Sequence, residues 1–127
     1  MFSWQSLGVI ALGGAIGAIA RHVVVLALAG ATRAGLPWGV LVANVSGCLV
    51  AGLVFVLLSE RPGVDPLWRL LVAVGFLGAF TTFSAFSVDT LLLMQSGQLA
   101  RAAVNVLANL VLCLGACGLG MWLARQL

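Results

Sequence analysis

The chain has 127 residues, 63% of them hydrophobic and only 7% charged, whereas soluble domains carry roughly 25% charged residues. At about 20 apolar residues per membrane crossing, this length holds four or five crossings and short connections, so residues 1–127 read as a single transmembrane domain. The net charge of +3 comes from six Arg and three acids, with no basic run able to track a nucleic acid, which excludes nucleic acid as a partner.

Polar and turn residues cut the sequence into four apolar blocks, about Leu7 to Ala29, Trp38 to Leu58, Leu67 to Met94 and Ala102 to Leu123, each predicting a membrane-spanning helix. The connections GATRAGLP, SERPGVDP and QSGQ hold all three Pro and several of the charges, where helices are expected to stop. An even number of crossings puts both termini on one side. The expected fold class is an all-α membrane protein.

The first block contains LALAGA, with the small-residue spacing of a signal-peptidase site. No Lys or Arg precedes the apolar run, however, and Arg21 interrupts it, so the block is read as a retained first span. Gly13 and Gly17 are four apart, and in the second block Gly39, Ala43, Gly47 and Ala51 make an unbroken i, i+4 stripe. Such stripes let helix backbones approach closely in lipid. Arg21 is the one strong charge within a span. It either snorkels to the interface or lines a water-filled mouth and concentrates anions there.

Polar groups inside a span must find partners, because each unsatisfied one costs several kcal/mol in hydrocarbon. Asn44 and Ser46 raise that question in the second block, and Asn105, Asn109 and Cys113 raise it in the fourth, where their i, i+4, i+8 spacing gives one polar line. The line serves either interhelical hydrogen bonding or a track of donors for something moving along it. The third block contains GFLGAFTTFSAFS, Gly75 to Ser87, with two Gly, four hydroxyls and four Phe. It is compatible with a regular helix, whose hydroxyls bond back to the i−4 carbonyl. It is equally compatible with a break around Gly78 to Thr82 that frees carbonyls for a cation. Phe76, Phe80 and Phe83 follow helical spacing, as do Phe83 and Phe86. That stripe reads either as packing or as a set of positive ring edges able to meet a small anion.

Proton-coupled transporters carry an intramembrane acid, but here Glu60 and Asp65 fall in a loop and Asp89 lies near the end of the third block. Cys48, Cys113 and Cys117 lack metal-ligand spacing and read as small apolar residues. The Arg residues divide three against three, with Arg61, Arg69 and Arg125 on the side of the termini and Arg21, Arg33 and Arg101 on the other. With no bias in positive charge to set orientation, two oppositely inserted copies could pair about an axis in the membrane plane.

GGAIGAIAR (Gly13 to Arg21), PWGVLVANVSG (Pro37 to Gly47) and above all GFLGAFTTFSAFS resemble the Fluc fluoride channels of the CrcB family, across essentially the whole chain. The resemblance implies an antiparallel, dual-topology homodimer in the cell (inner) membrane. It implies two pores that passively export cytoplasmic fluoride and so confer fluoride resistance. It places the pore phenylalanines at Phe83 and Phe86 and the pore asparagine at Asn44, with Ser84 as a hydroxyl donor and Arg21 at the vestibule. It further implies a broken third helix whose Gly78 and Thr81 carbonyls hold a structural sodium ion at the dimer centre. In the fourth span Asn105, Asn109 and Cys113 stand where the family often has hydroxyls, and Ala85 stands where a Thr is common.

The expected function is therefore a fluoride-selective channel with no bond chemistry, in which neutral donors on Asn44, Ser84 and Asn109 and the edges of Phe83 and Phe86 replace hydration water. Two alternatives are a small multidrug-type dual-topology transporter and a non-transporting assembly subunit. The first would want an acid in its first span, which this sequence lacks.

Overall fold

The computed structural model of the chain describes residues 3–33 and 35–127. Every regular element among them is helical. Four helices are long and apolar enough to cross a membrane: Trp4–Ala27, Trp38–Glu60, Pro66–Gln95 and Leu99–Gln126, with mean hydropathies between 1.8 and 2.5. They are called the first to fourth spans below.

The helices outrun the apolar blocks. The fourth span has 28 residues, or roughly 42 Å at 1.5 Å per residue, which carries it through the hydrocarbon and into the headgroup layer. There polar side chains can cap helix ends. The Ser3 hydroxyl accepts from Ser6 N–H at 3.1 Å, and the Asp65 carboxylate accepts from Leu67 N–H at 2.8 Å. A short helix, Ala29–Arg33, occupies part of the first connection, where the sequence suggested only a loop. Ala34, in the same connection, lies outside the described residues. The third and fourth spans are joined by a tight turn that needs Gly97 at φ 77°, a left-handed conformation open to glycine.

Two stretches are π-helical, Val56–Glu60 at the end of the second span and Arg69–Leu77 in the first half of the third. Closing hydrogen bonds at i→i+5 turns later side chains around the axis relative to α-helical spacing. The third span's faces are therefore not those that a 3.6-residue period assigns.

Packing follows the glycines. The first span lies against the π-helical half of the third, and a Cβ on Gly13 or Gly17 would overlap the carbonyl oxygens of Leu71 and Phe76 respectively. The second span packs chiefly on the fourth. These two helices run parallel and hold one register. Asn44 bonds to Asn109 and Glu60 to Arg125, each pair 65 residues apart, and between them Gly52 meets the Cys117 backbone at the same spacing. The Glu60–Arg125 ion pair is bidentate, at 2.7 and 3.2 Å, and Arg61 donates to the Ala124 carbonyl at 3.3 Å, so the ends of both helices are tied together.

Gly14 faces more open space than Gly17, its nearest neighbour being the Gly75 carbonyl at 4.0 Å from an added Cβ. Gly17→Ala should therefore lower the thermal unfolding temperature of detergent-solubilised protein, with overpacking of about 1–3 kcal/mol. Gly14→Ala should leave it unchanged or raise it, because Ala is the better helix former.

Candidate functional site

The centre of the site is a backbone irregularity. One helical segment ends at Phe80 and the next begins at Phe83. Between them Thr81 (φ −81°, ψ 152°) and Thr82 (φ −150°, ψ 115°) are extended. Extended peptides inside a membrane need hydrogen-bond partners from protein. Thr82 finds both on one side chain: its N–H donates to Asn44 Oδ1 at 2.8 Å, and its carbonyl accepts from Asn44 Nδ2 at 3.1 Å. Asn44 thus behaves as a strand one amide long. This pairing also fixes which way round the Asn44 amide lies, since its oxygen must face the Thr82 N–H.

From Asn44 a directed relay runs into the fourth span and back to the third. Asn44 Nδ2 also donates to Asn109 Oδ1 at 3.0 Å, and Asn109 Nδ2 donates to the Asn105 carbonyl and Oδ1 at 3.0 and 3.2 Å. Asn105 Nδ2 donates to Thr90 Oγ1 at 2.9 Å, and the Thr90 hydroxyl donates to the Phe86 carbonyl at 2.7 Å. Asn105 is only 1% exposed, and no buried side-chain nitrogen or oxygen among the described residues lacks a partner. A fully satisfied buried network of this kind holds one geometry. It grips the five residues that carry the two phenylalanines at both ends, Thr82 and Phe86.

The rings form a separate pair, Phe83 over Phe86, with centroids 5.2 Å apart and planes tilted by 55°. Phe76 and Phe80 stack on each other at 5.5 Å and 9°. The single aromatic stripe suggested by helical spacing is therefore two pairs, divided by the extended threonines. Phe86 is buried at 8% exposure, while Phe83 is 77% exposed beside a groove.

That groove, about 270 Å³, is lined by Asn44, Cys48, Thr81, Thr82, Phe83, Phe86, Asn109, Leu110, Cys113 and Leu114. No lining residue carries a charge. It brings together five of the seven pore residues expected from the sequence. Ser84 and Asn105 are not among its walls: the Ser84 hydroxyl pairs with Thr82 Oγ1 at 3.1 Å, and Asn105 is inside the relay. Two further cavities adjoin it through shared residues. One of about 350 Å³ holds Arg21, His22 and Asp89 and shares Thr82. The other, about 370 Å³, holds Arg69 and Gly78 and shares Cys48 and Thr81.

Gly78 and Thr81 have one property in common. In a continuous helix their carbonyls would accept from the N–H groups four residues on, those of Thr82 and Ala85. Here Thr82 N–H goes to Asn44, and Ala85 N–H goes to Thr82 Oγ1 at 3.1 Å. Both carbonyls are thereby left to other partners. Among the described residues no three His, Cys, Asp or Glu side chains group together.

The sequence missed three participants. In the sequence Thr82 is one hydroxyl among four and the end of a possible break, with no sign of its partner, and Thr90 and Cys48 carry no site signal of their own. Thr90 and Asn105 stand almost equally far on either side of the Gly97 turn, and Cys48 follows Asn44 by one helical turn as Cys113 follows Asn109. Both signals are present in the sequence once the turn and the helix pairing are known.

A family model described as "CrcB-like protein, Camphor Resistance (CrcB)" matches residues 8–121. The chain belongs to the CrcB family. Its relatives include a protein of Koribacter versatilis, 46% identical over 84% of this chain and 85% of the relative. Another, from Shewanella amazonensis, is 46% identical over 90% of this chain and 91% of its own length, and one from Photobacterium profundum is 40% identical over 99% of both. All three are named "Fluoride-specific ion channel FluC".

Removing the Asn44 side chain leaves both backbone groups of Thr82 without partners, at roughly 1–3 kcal/mol each. Asn44→Ala should therefore lower the unfolding temperature in detergent further than Thr90→Val, which unpairs a single relay donor. Equal shifts for the two variants would show that the Thr82 peptide does not depend on Asn44.

Proposed function

We propose that this protein is a fluoride-selective channel of the cell (inner) membrane, passively exporting cytoplasmic fluoride and so protecting the cell from it. The observation that carries the reading is the uncharged groove in which Phe83 and Phe86 lie beside the Asn44 and Asn109 amides, in a chain of the CrcB family. A small anion in such a groove meets ring edges, which are positive, and amide donors. It meets no cation that would hold it too tightly to leave. Cationic side chains stand in the neighbouring cavities, Arg21 in one and Arg69 in the other, where they would raise the local anion concentration. Cys113 contributes a weak S–H donor to the groove.

The relay refines the part played by the amides. Both Nδ2 hydrogens of Asn44 already have acceptors within the chain, on Thr82 and Asn109, and Asn109 Nδ2 already donates to Asn105. An ion therefore takes a donor by exchange with an internal acceptor, and loses it again to the same acceptor. Exchange of this kind favours brief occupancy, which conduction requires. Asn105 and Ser84 act on the path by holding Asn109 and Thr82.

We place two copies in antiparallel, dual-topology arrangement. Phe83 supports this reading, being a large apolar side chain 77% exposed at the edge of the groove, and so does the equal division of Arg between the two ends. In the pair, the Gly78 and Thr81 carbonyls would hold a sodium ion at the interface, a use of unwound backbone seen at membrane ion sites. Such an ion would brace the assembly and take no part in the permeation step. Replacing sodium by a large organic cation should then lower the unfolding temperature of the purified protein, with recovery on returning sodium.

The deciding experiment is fluoride-electrode efflux from liposomes containing the purified protein, with chloride as control. Fluoride should leave and chloride should not. Phe83→Ile and Phe86→Ile should each slow fluoride efflux by about tenfold or more, the equivalent of roughly 1.4 kcal/mol in a barrier. Full flux in both variants would remove the rings from the path.

A further inference from the structure

Cys48 and Cys113 occupy a place defined by their neighbours. The second and fourth spans run parallel in one register, fixed on one side by the Asn44–Asn109 hydrogen bond at 3.0 Å. On the other side it is fixed by Gly52, whose missing side chain lets the Cys117 backbone approach. Cys48 lies one turn beyond Asn44 and one turn before Gly52; Cys113 lies one turn beyond Asn109 and one turn before Cys117. The two thiols are therefore opposite each other on facing helices, both free and both lining the uncharged groove. Cys48 also lines the cavity that holds Arg69, so the pair stands where the two spaces adjoin.

We propose that Cys48 and Cys113 form a two-coordinate site for a soft, thiophilic metal ion, and that an ion bound there closes the groove. Thiolates select soft ions, and ions such as Cu(I), Ag(I) and Hg(II) accept two sulfurs in a line. Zinc requires about four ligands, and among the described residues no third His, Cys, Asp or Glu joins the pair. With Hg2+ the binding is balanced without electron transfer: each thiol loses its proton, two metal–sulfur bonds form, and two protons pass to solvent. Cys117, on the fourth span but outside the groove lining, takes no part. The closure half of the proposal rests on the channel reading; the metal site does not.

Binding is measured first, on purified protein in detergent given one equivalent of Hg2+ per chain and then an excess of a small monothiol. Desalting and elemental analysis report the mercury retained. Two linked ligands should outcompete single ones by about 10²–10⁴-fold. Wild type and Cys117→Ser should therefore keep the ion, while Cys48→Ser and Cys113→Ser should release it. Loss of mercury from the wild type overturns the site. So does retention by Cys48→Ser, which would make Cys113 and Cys117 the pair.

Fluoride efflux from liposomes follows, each variant compared with its own metal-free rate. Hg2+ should stop flux in the wild type and Cys117→Ser, a small dithiol should restore it, and the Cys48→Ser and Cys113→Ser rates should not respond. Retained mercury with undiminished flux would overturn closure and leave the site standing. Absence of any fluoride flux without metal would refute the channel reading, and the binding result would still judge the site.

Discussion

An extended peptide in hydrocarbon is the constraint on which this structure turns. Within a membrane span an unpaired backbone group costs several kcal/mol. Thr82 meets the constraint through Asn44, which supplies an acceptor and a donor to the same residue. Asn44 lies on the second span, so satisfying one peptide also fastens the third span to the pair formed by the second and fourth.

The consequences spread along the relay. Because Asn44 is committed to Thr82, its remaining hydrogen orients Asn109, which in turn orients Asn105 and Thr90 and reaches the Phe86 carbonyl. The segment that carries the phenylalanine pair is thus held by polar contacts at both ends. This resolves the oddity of a hydroxyl-rich, aromatic stretch in the middle of an apolar span. Hydroxyls serve the irregular backbone: Thr82 Oγ1 accepts from Ala85 N–H in place of a helical carbonyl, and Thr81 Oγ1 adds a second bond to the Leu77 carbonyl that its own N–H already reaches.

Much of this was legible in the sequence. Long apolar runs and turn residues located four spans to within a few positions, since the membrane leaves few other solutions for the backbone. Asn44, Asn105 and Asn109 stood out because amides in hydrocarbon demand partners, although periodicity could not say that they partner one another. The misreadings share a cause. Helical spacing treated Phe76 to Phe86 as one stripe, but π-helical turns before Gly78 and extended residues at Thr81 and Thr82 change the angular count. Cys48 was overlooked because its significance depends on which helix faces it, and a single chain's sequence does not print helix pairings.

The register shared by the second and fourth spans makes their residues rungs of a ladder rather than independent positions. Asn44 answers Asn109, Gly52 answers the backbone at Cys117, and Glu60 answers Arg125. A side chain altered on one rail strands its counterpart on the other, leaving an amide unmatched, two backbones forced apart or a charge alone. The effect of a substitution on either rail is therefore set by two positions, the altered one and the one it faces.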